Sequence, residues 1–175
     1  MRIGIVDWGI GGISILKLLT QHVGEVSATY FSDTGVTPYG KMSRSELVGR
    51  LNAVTRFLRE RSVTHLAIGC NAASTALPEL NAGDLPVTGV IDPAMKLTAS
   101  LRPQRLGLIG GRRTVLSGVY REAFARHGIE VHQRIAQPLS GMIESGDTSS
   151  NELNAACHKI LGPLRNSSHI LLACT

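Results

Sequence analysis

The chain has 175 residues, 43% hydrophobic and 18% charged, with 19 glycines, enough for one ordinary domain or two small ones joined by tight turns. Aromatic residues make up only 4%, and the formal charge of +5 is spread over scattered arginines with Arg112-Arg113 the one adjacent pair, so neither a base-stacking surface nor a nucleic-acid footprint is expected. Cys70, Cys157 and Cys174 form no C-x-x-C pair and no zinc spacing, no run approaches the ~18 apolar residues of a membrane span, and Asp7 comes too early for a signal peptide, which predicts a soluble protein with reduced thiols in a cytoplasmic setting.

Residues 2–6 form a short apolar run ending at Asp7 and predict a strand. The turn Gly9-Ile-Gly-Gly12 follows, and residues 13–19 have helical apolar spacing. Residues 26–31 read as a second strand that runs into the polar loop Ser32-Asp-Thr-Gly-Val-Thr-Pro-Tyr-Gly40. Ser43-Arg-Ser-Glu46 is a capping box that opens an amphipathic helix to about Arg61, with Leu47, Leu51, Val54 and Leu58 as its buried stripe. His65-Leu-Ala-Ile-Gly-Cys70 predicts a buried strand delivering one thiol to its end, with a short helix behind it whose first N–H groups favour the thiolate. A strand at residues 86–90 comes next. Asp92-Pro93 then supplies an N-cap and a first-turn proline for a helix ending near Leu101-Arg-Pro103.

After Pro103 the pattern restarts. Arg105-Leu-Gly-Leu-Ile-Gly-Gly111 resembles Arg2-Ile-Gly-Ile-Val-Asp-Trp8 at an offset of 103, and His169-Ile-Leu-Leu-Ala-Cys174 resembles the Cys70 strand at an offset of 104. Between them lie a helix over residues 114–127, a strand near residues 129–134 and a helix over residues 150–161. The expected architecture is α/β: two pseudo-symmetric β/α modules, residues 1–101 and 102–175, with mainly parallel sheets and the active site in the cleft between them. Fewer elements follow Cys174 than follow Cys70, so the second module is expected to be incomplete and the chain truncated.

Two thiols in equivalent places suit a two-base proton transfer: one thiolate removes a proton from carbon and the opposite thiol returns one on the other face. Each transfer by a positioned group contributes ~10²–10⁴-fold. Asp7 is a candidate partner for Cys70, or else a turn-forming acid before the glycine turn. Glu144 is a candidate acid for Cys174, or else a surface carboxylate. The loop at residues 33–40 and the turn Thr114…Ser117 offer donors to a substrate carboxylate. Cys157 lies mid-helix on an apolar face and reads as packing. The glycine turns match neither G-x-G-x-x-G nor G-x-x-x-x-G-K-[ST], so no nucleotide site is expected.

Several motifs in order resemble those of the aspartate/glutamate racemase family, and within it the bacterial glutamate racemases. Asp7-Trp8-Gly9-Ile-Gly-Gly12 stands in the place of D-S-G-x-G-G, and Asp33-Thr-Gly-Val-Thr-Pro-Tyr39-Gly40 keeps D-T-x-x-x-P-Y-G. Cys70-Asn71-Ala72-Ala73-Ser74 stands for C-N-T-A-S, Thr114-Val-Leu-Ser117-Gly-Val-Tyr120 for the second-module pattern, and Ala173-Cys174-Thr175 for the start of G-C-T-H. The resemblance implies a cofactor-independent exchange of the α-proton of a dicarboxylic amino acid. Cys70 with Asp7 would act on one face, and Cys174 with Glu144 on the other. It further implies that Tyr39, Gly40, Asn71, Thr114 and Thr175 hold the substrate, that D-glutamate made this way supplies the cell wall, and that a homodimer is among the assemblies allowed. Trp8 and Ala72 depart from the family's serine and threonine at substrate-touching positions. A decarboxylase or isomerase of small diacids and a non-catalytic binding homologue therefore stand beside the racemase.

Overall fold

The computed structural model describes residues 1–174. They divide into two compact units, Met1–Val90 and Ile91–Cys174. In the first, strands β1 (Arg2–Asp7), β2 (Ser27–Ser32), β3 (His65–Ile68) and β4 (Val87–Gly89) lie parallel in the order β2-β1-β3-β4. Side chains alternate across a sheet. Val6, Leu66 and Ile68 are therefore buried in one cluster with Leu47, Leu51, Val54 and Leu58, the predicted stripe of helix α2 (Arg44–Arg59). The capping box at its start is closed: Ser43 N–H donates to Glu46 at 2.7 Å and Glu46 N–H to Ser43 Oγ at 3.3 Å. Helix α1 (Gly12–His22) follows β1, and the single-turn helix α3 (Asn71–Ser74) follows β3.

The second unit repeats the plan. Strands β5 (Leu106–Gly110), β6 (Val131–Ile135) and β7 (His169–Ala173) are parallel in the order β6-β5-β7, so β5 takes the place of β1 and β7 that of β3. The repeat extends to single hydrogen bonds. Arg2 N–H donates to Thr64 Oγ1 at 3.0 Å while Thr64 N–H donates to Arg2 C=O at 2.9 Å. Arg105 and Ser168 exchange the same pair at 3.2 and 2.9 Å. Two apolar clusters cover the sheet. One joins Leu106, Leu108, Tyr120 and Phe124 to helices α4 (Ile91–Ser100), α5 (Arg112–Leu116) and α6 (Val119–Ala125). The other joins Ile109 to α7 (Gln137–Glu144) and α8 (Asn151–Leu161), where Cys157 packs as expected.

Ile91, Ala94, Met95 and Ala99 of α4 pack into the second core, and the compact units divide between Val90 and Ile91. Three sequence expectations about helices are corrected. The same burial of Ile91 starts α4 one residue before Asp92, so Asp92 lies inside the first turn and is not the N-cap. Pro93 is tolerated there because first-turn N–H groups have no helical acceptor. The helix expected over residues 114–127 is two helices, broken at Gly118, whose φ of +73° is readily reached only without a Cβ. Helix α7 was not expected; Pro138 at its first turn is its local start signal. Among the described residues no helix is long and apolar enough to cross a membrane.

Candidate active site

The predicted residues of the first unit gather at the carboxyl ends of β1 and β3 and in the loop after β2, where ligands sit in parallel α/β sheets. Asp7 ends β1 and is 3% exposed. Its Oδ1 accepts from Trp8 N–H and its Oδ2 from Gly12 N–H, both at 2.8 Å. The carboxylate therefore shapes the turn into α1, which is the turn-forming role open to it from sequence. Tyr30 and Ser32 hold the same turn, their hydroxyls donating to Gly9 C=O at 2.8 and 2.9 Å. Gly12 lets the turn come this close: a Cβ there would lie 2.8 Å from Tyr30 Cε2 and 3.1 Å from the Asp7 Cβ. Since the Tyr30 hydroxyl is bonded, its ring cannot easily swing away. Gly12→Ala is expected to destabilise the chain by about 1–3 kcal/mol, measured by urea unfolding.

Cys70 is the N-cap of α3, with extended backbone, and its C=O accepts from Ser74 N–H at 2.8 Å. The preceding Gly69 N–H donates to Val6 C=O at 2.7 Å, tying the thiol's segment to β1. Ser74 Oγ donates to Ile68 C=O at 3.3 Å and accepts from Val90 N–H at 3.2 Å, which fixes α3 between β3 and the end of β4. Because α3 is a single turn, any help to the thiolate comes from first-turn N–H groups and not from a long helix dipole. Cys70, Ala72 and Trp8 all pack against the α2 core cluster. Asn71 is buried.

The loop over residues 33–40 is tied at several points. Asp33 N–H donates to Asp7 C=O at 2.9 Å. The buried Asp33 carboxylate accepts from the Tyr39 hydroxyl at 2.7 Å and from Arg50 Nε at 2.8 Å and Nη2 at 2.5 Å. The Trp8 indole N–H donates to Val36 C=O at 2.9 Å. Gly40 follows, partly exposed.

Electrostatics join these groups. The Tyr30 hydroxyl is pushed up to about 12, first by burial, then by Asp7 and Cys70. Tyr39 is raised further, by burial and then by its hydrogen bond to Asp33, with Cys70 also contributing. Tyr120 in the second unit is raised as well, mainly by burial and then by Asp92. These are the chain's three tyrosines. A raised phenol stabilises the fold fully below its unfolded value of 10.0 and loses that contribution as pH climbs through its folded value. At pH 10.5 the native protein is expected to show almost no tyrosinate absorbance at 295 nm, while the denatured chain is largely ionised.

In the second unit Thr114 is buried in α5, Glu144 is the exposed last residue of α7, and Cys174 is exposed directly after β7. Thr175 lies outside the described residues. Tyr30 and Arg50 are the neighbours that sequence reasoning passed over. Tyr30 sits in an ordinary alternating strand and Arg50 on a helix, and only the strand register and the fold bring them to the turn and the loop. Among the described residues no three His, Cys, Asp or Glu side chains gather as metal ligands. Chemically, the first unit offers a thiol at a strand end, a buried carboxylate and a tethered loop beside it.

The pattern of the Asp/Glu/Hydantoin racemase family matches residues 3–175. The chain is 36% identical over 149 residues to the glutamate racemase of Aquifex aeolicus, an alignment covering 83% of this chain and 59% of that protein. It is similar to the crystal structure of glutamate racemase from Campylobacter jejuni, with TM-score 0.91 and 26% identity over 99% of this chain and 72% of that one. It is also similar to that of glutamate racemase from Francisella tularensis in complex with D-glutamate, with TM-score 0.89 and 28% identity over 99% and 68% of the two chains. The chain thus spans 59% of the length of its Aquifex relative.

Proposed function

The chain belongs to the Asp/Glu/Hydantoin racemase family, and from that premise we propose that it racemises glutamate or aspartate without a cofactor, using Cys70 and Cys174 as the two acid–base groups. The observation that carries this reading is the repeat: Cys70 follows β3 and Cys174 follows β7, the equivalent strands of two sheets with the same order about β1 and β5. In the forward direction the Cys70 thiolate takes the α-proton, and the Cys174 thiol gives its own proton to the opposite face of the resulting carbanion. One C–H bond breaks and another forms. The thiol and thiolate have exchanged places, ready for the reverse reaction or for reset by solvent. Since a free thiol near 8.5 is only a few per cent ionised at pH 7, a nearby acid or base sets the fraction of active enzyme. Asp7 takes that part for Cys70 and Glu144 for Cys174.

Tyr39, Gly40, Asn71, Thr114 and Thr175 are assigned to the substrate's carboxylates and amino group, with Trp8 and Ala72 shaping the space beside Cys70. The D-glutamate held by the Francisella enzyme supports a small amino-acid substrate of this kind. D-glutamate made in this way would feed cell-wall peptidoglycan. Incubation with the L and D forms of glutamate and aspartate in deuterated water tests the reading. Incorporation of one α-deuterium together with loss of optical activity is expected. No α-deuterium in any of the four sinks it, and binding without exchange would mark a non-catalytic homologue.

A further inference from the structure

Resting on the reading of residues 33–40 as substrate loop, we propose that Arg50 is a positioning residue, acting through Asp33 and Tyr39, with Trp8 as the second anchor of the same loop. Arg50 projects from α2, next to Leu51, whose burial with Leu47 and Val54 fixes that helix in the core. Its guanidinium engages both oxygens of Asp33, Nε on Oδ2 and Nη2 on Oδ1. The Tyr39 hydroxyl donates to the same Oδ2. Asp33 opens the loop and Tyr39 nearly closes it, so one carboxylate, itself 3% exposed, clamps both ends of the segment to a helix that cannot shift.

The second anchor holds the middle. The Trp8 indole donates to Val36 C=O, tying the loop to the residue after Asp7, and Asp33 N–H donates to Asp7 C=O. The loop therefore moves with the strand end that carries Asp7. Gly69 N–H donates to Val6 C=O, which ties the segment carrying Cys70 to the same strand, so a displaced loop is displaced with respect to the thiol. A loop held this way spends little ordering entropy when a ligand binds. Only arginine supplies the planar fork; lysine keeps the charge but offers a single point contact.

Trp8 is the chain's sole tryptophan, so its emission reports on this anchor alone. In Arg50→Lys we expect Trp8 emission to move to longer wavelength and the amides of residues 34–37, 39 and 40 to exchange at least ~tenfold faster, with the far-UV spectrum unchanged. For the racemised amino acid, KM should rise ~tenfold or more with kcat within about threefold. The double variant Asp33→Asn with Arg50→Met leaves no buried unpaired charge and should give the same loop signals. Unchanged emission and unchanged exchange in both variants overturn the anchor, and a loosened loop with unchanged KM overturns the positioning role. A wild-type chain that exchanges no α-deuterium refutes the racemase reading instead, and the two loop signals, which need no turnover, still decide for or against Arg50 as anchor.

Discussion

Cys70→Ser should lower α-deuterium incorporation by at least ~10³-fold while changing the unfolding free energy by about 1 kcal/mol or less. A serine hydroxyl titrates far above a thiol, so the base form needed to take a carbon-bound proton is almost absent at pH 7. The fold has little reason to object: Cys70 is partly buried at a strand end, and the backbone contacts that seat it, Gly69 N–H on Val6 C=O and Ser74 N–H on Cys70 C=O, do not involve the thiol. Under the proposed two-thiol exchange Cys174→Ser should cause a loss of the same order, and Cys174 is exposed, so the fold should tolerate it. Cys157→Ser is the control. That cysteine packs among Ala136, Leu139, Leu153 and Ile160 in the cluster beneath α7 and α8 and ends no strand, and its replacement should leave exchange intact. Proton NMR of the α-position and a urea transition for each variant check all three. Retention of exchange in Cys70→Ser would dismiss the two-thiol mechanism.

What could be read from the amino-acid order alone was whatever is local. The capping box at Ser43, the stripe of Leu47, Leu51, Val54 and Leu58, and the apolar strands that lead to Cys70 and Cys174 are short-range patterns, and each forms, the strands stopping at Ile68 and Ala173. The fold class followed from them. Non-local features were harder to read. Gly118 lies in a stretch whose residues favour helix on both sides, and only the left-handed turn that redirects α6 reveals the break. The unit boundary depends on which core receives α4, which is decided by Ile91 and Met95 packing against distant residues.

The site divides in the same way. Asp7, Cys70 and the residue 33–40 loop carry recognisable local patterns. Tyr30 and Arg50 contribute through partners 21 and 17 positions away, so nothing in their own neighbourhood marks them. Trp8 is instructive for the opposite reason. The sequence marks it as a departure from the family's serine at a substrate-touching position; in the structure its N–H donates to Val36 C=O, which makes it a brace for the loop as well.

Asp7→Asn should both weaken the fold and slow the reaction, and the two losses can be separated. Each carboxylate oxygen of Asp7 accepts one backbone N–H, from Trp8 and from Gly12. An asparagine of the same shape has one acceptor oxygen, so its NH₂ must face the other backbone N–H, and a buried donor goes unsatisfied. That costs about 1–3 kcal/mol, which a thermal melt would show as a drop of several degrees. The carboxylate's in-plane bonds to the turn leave further lone pairs, so the turn role and a proton role toward Cys70 are compatible in one side chain. If Asp7 only builds the turn, Asp7→Asn raises KM and leaves the pH dependence of kcat where it was. If it also manages the Cys70 proton, kcat falls ~10²-fold or more and the acidic limb of the kcat profile moves. The expected result is the second. Gly69 N–H donates to Val6 C=O at 2.7 Å, so the residues just before Cys70 and Asp7 are bonded side by side and the two side chains leave the same end of the sheet.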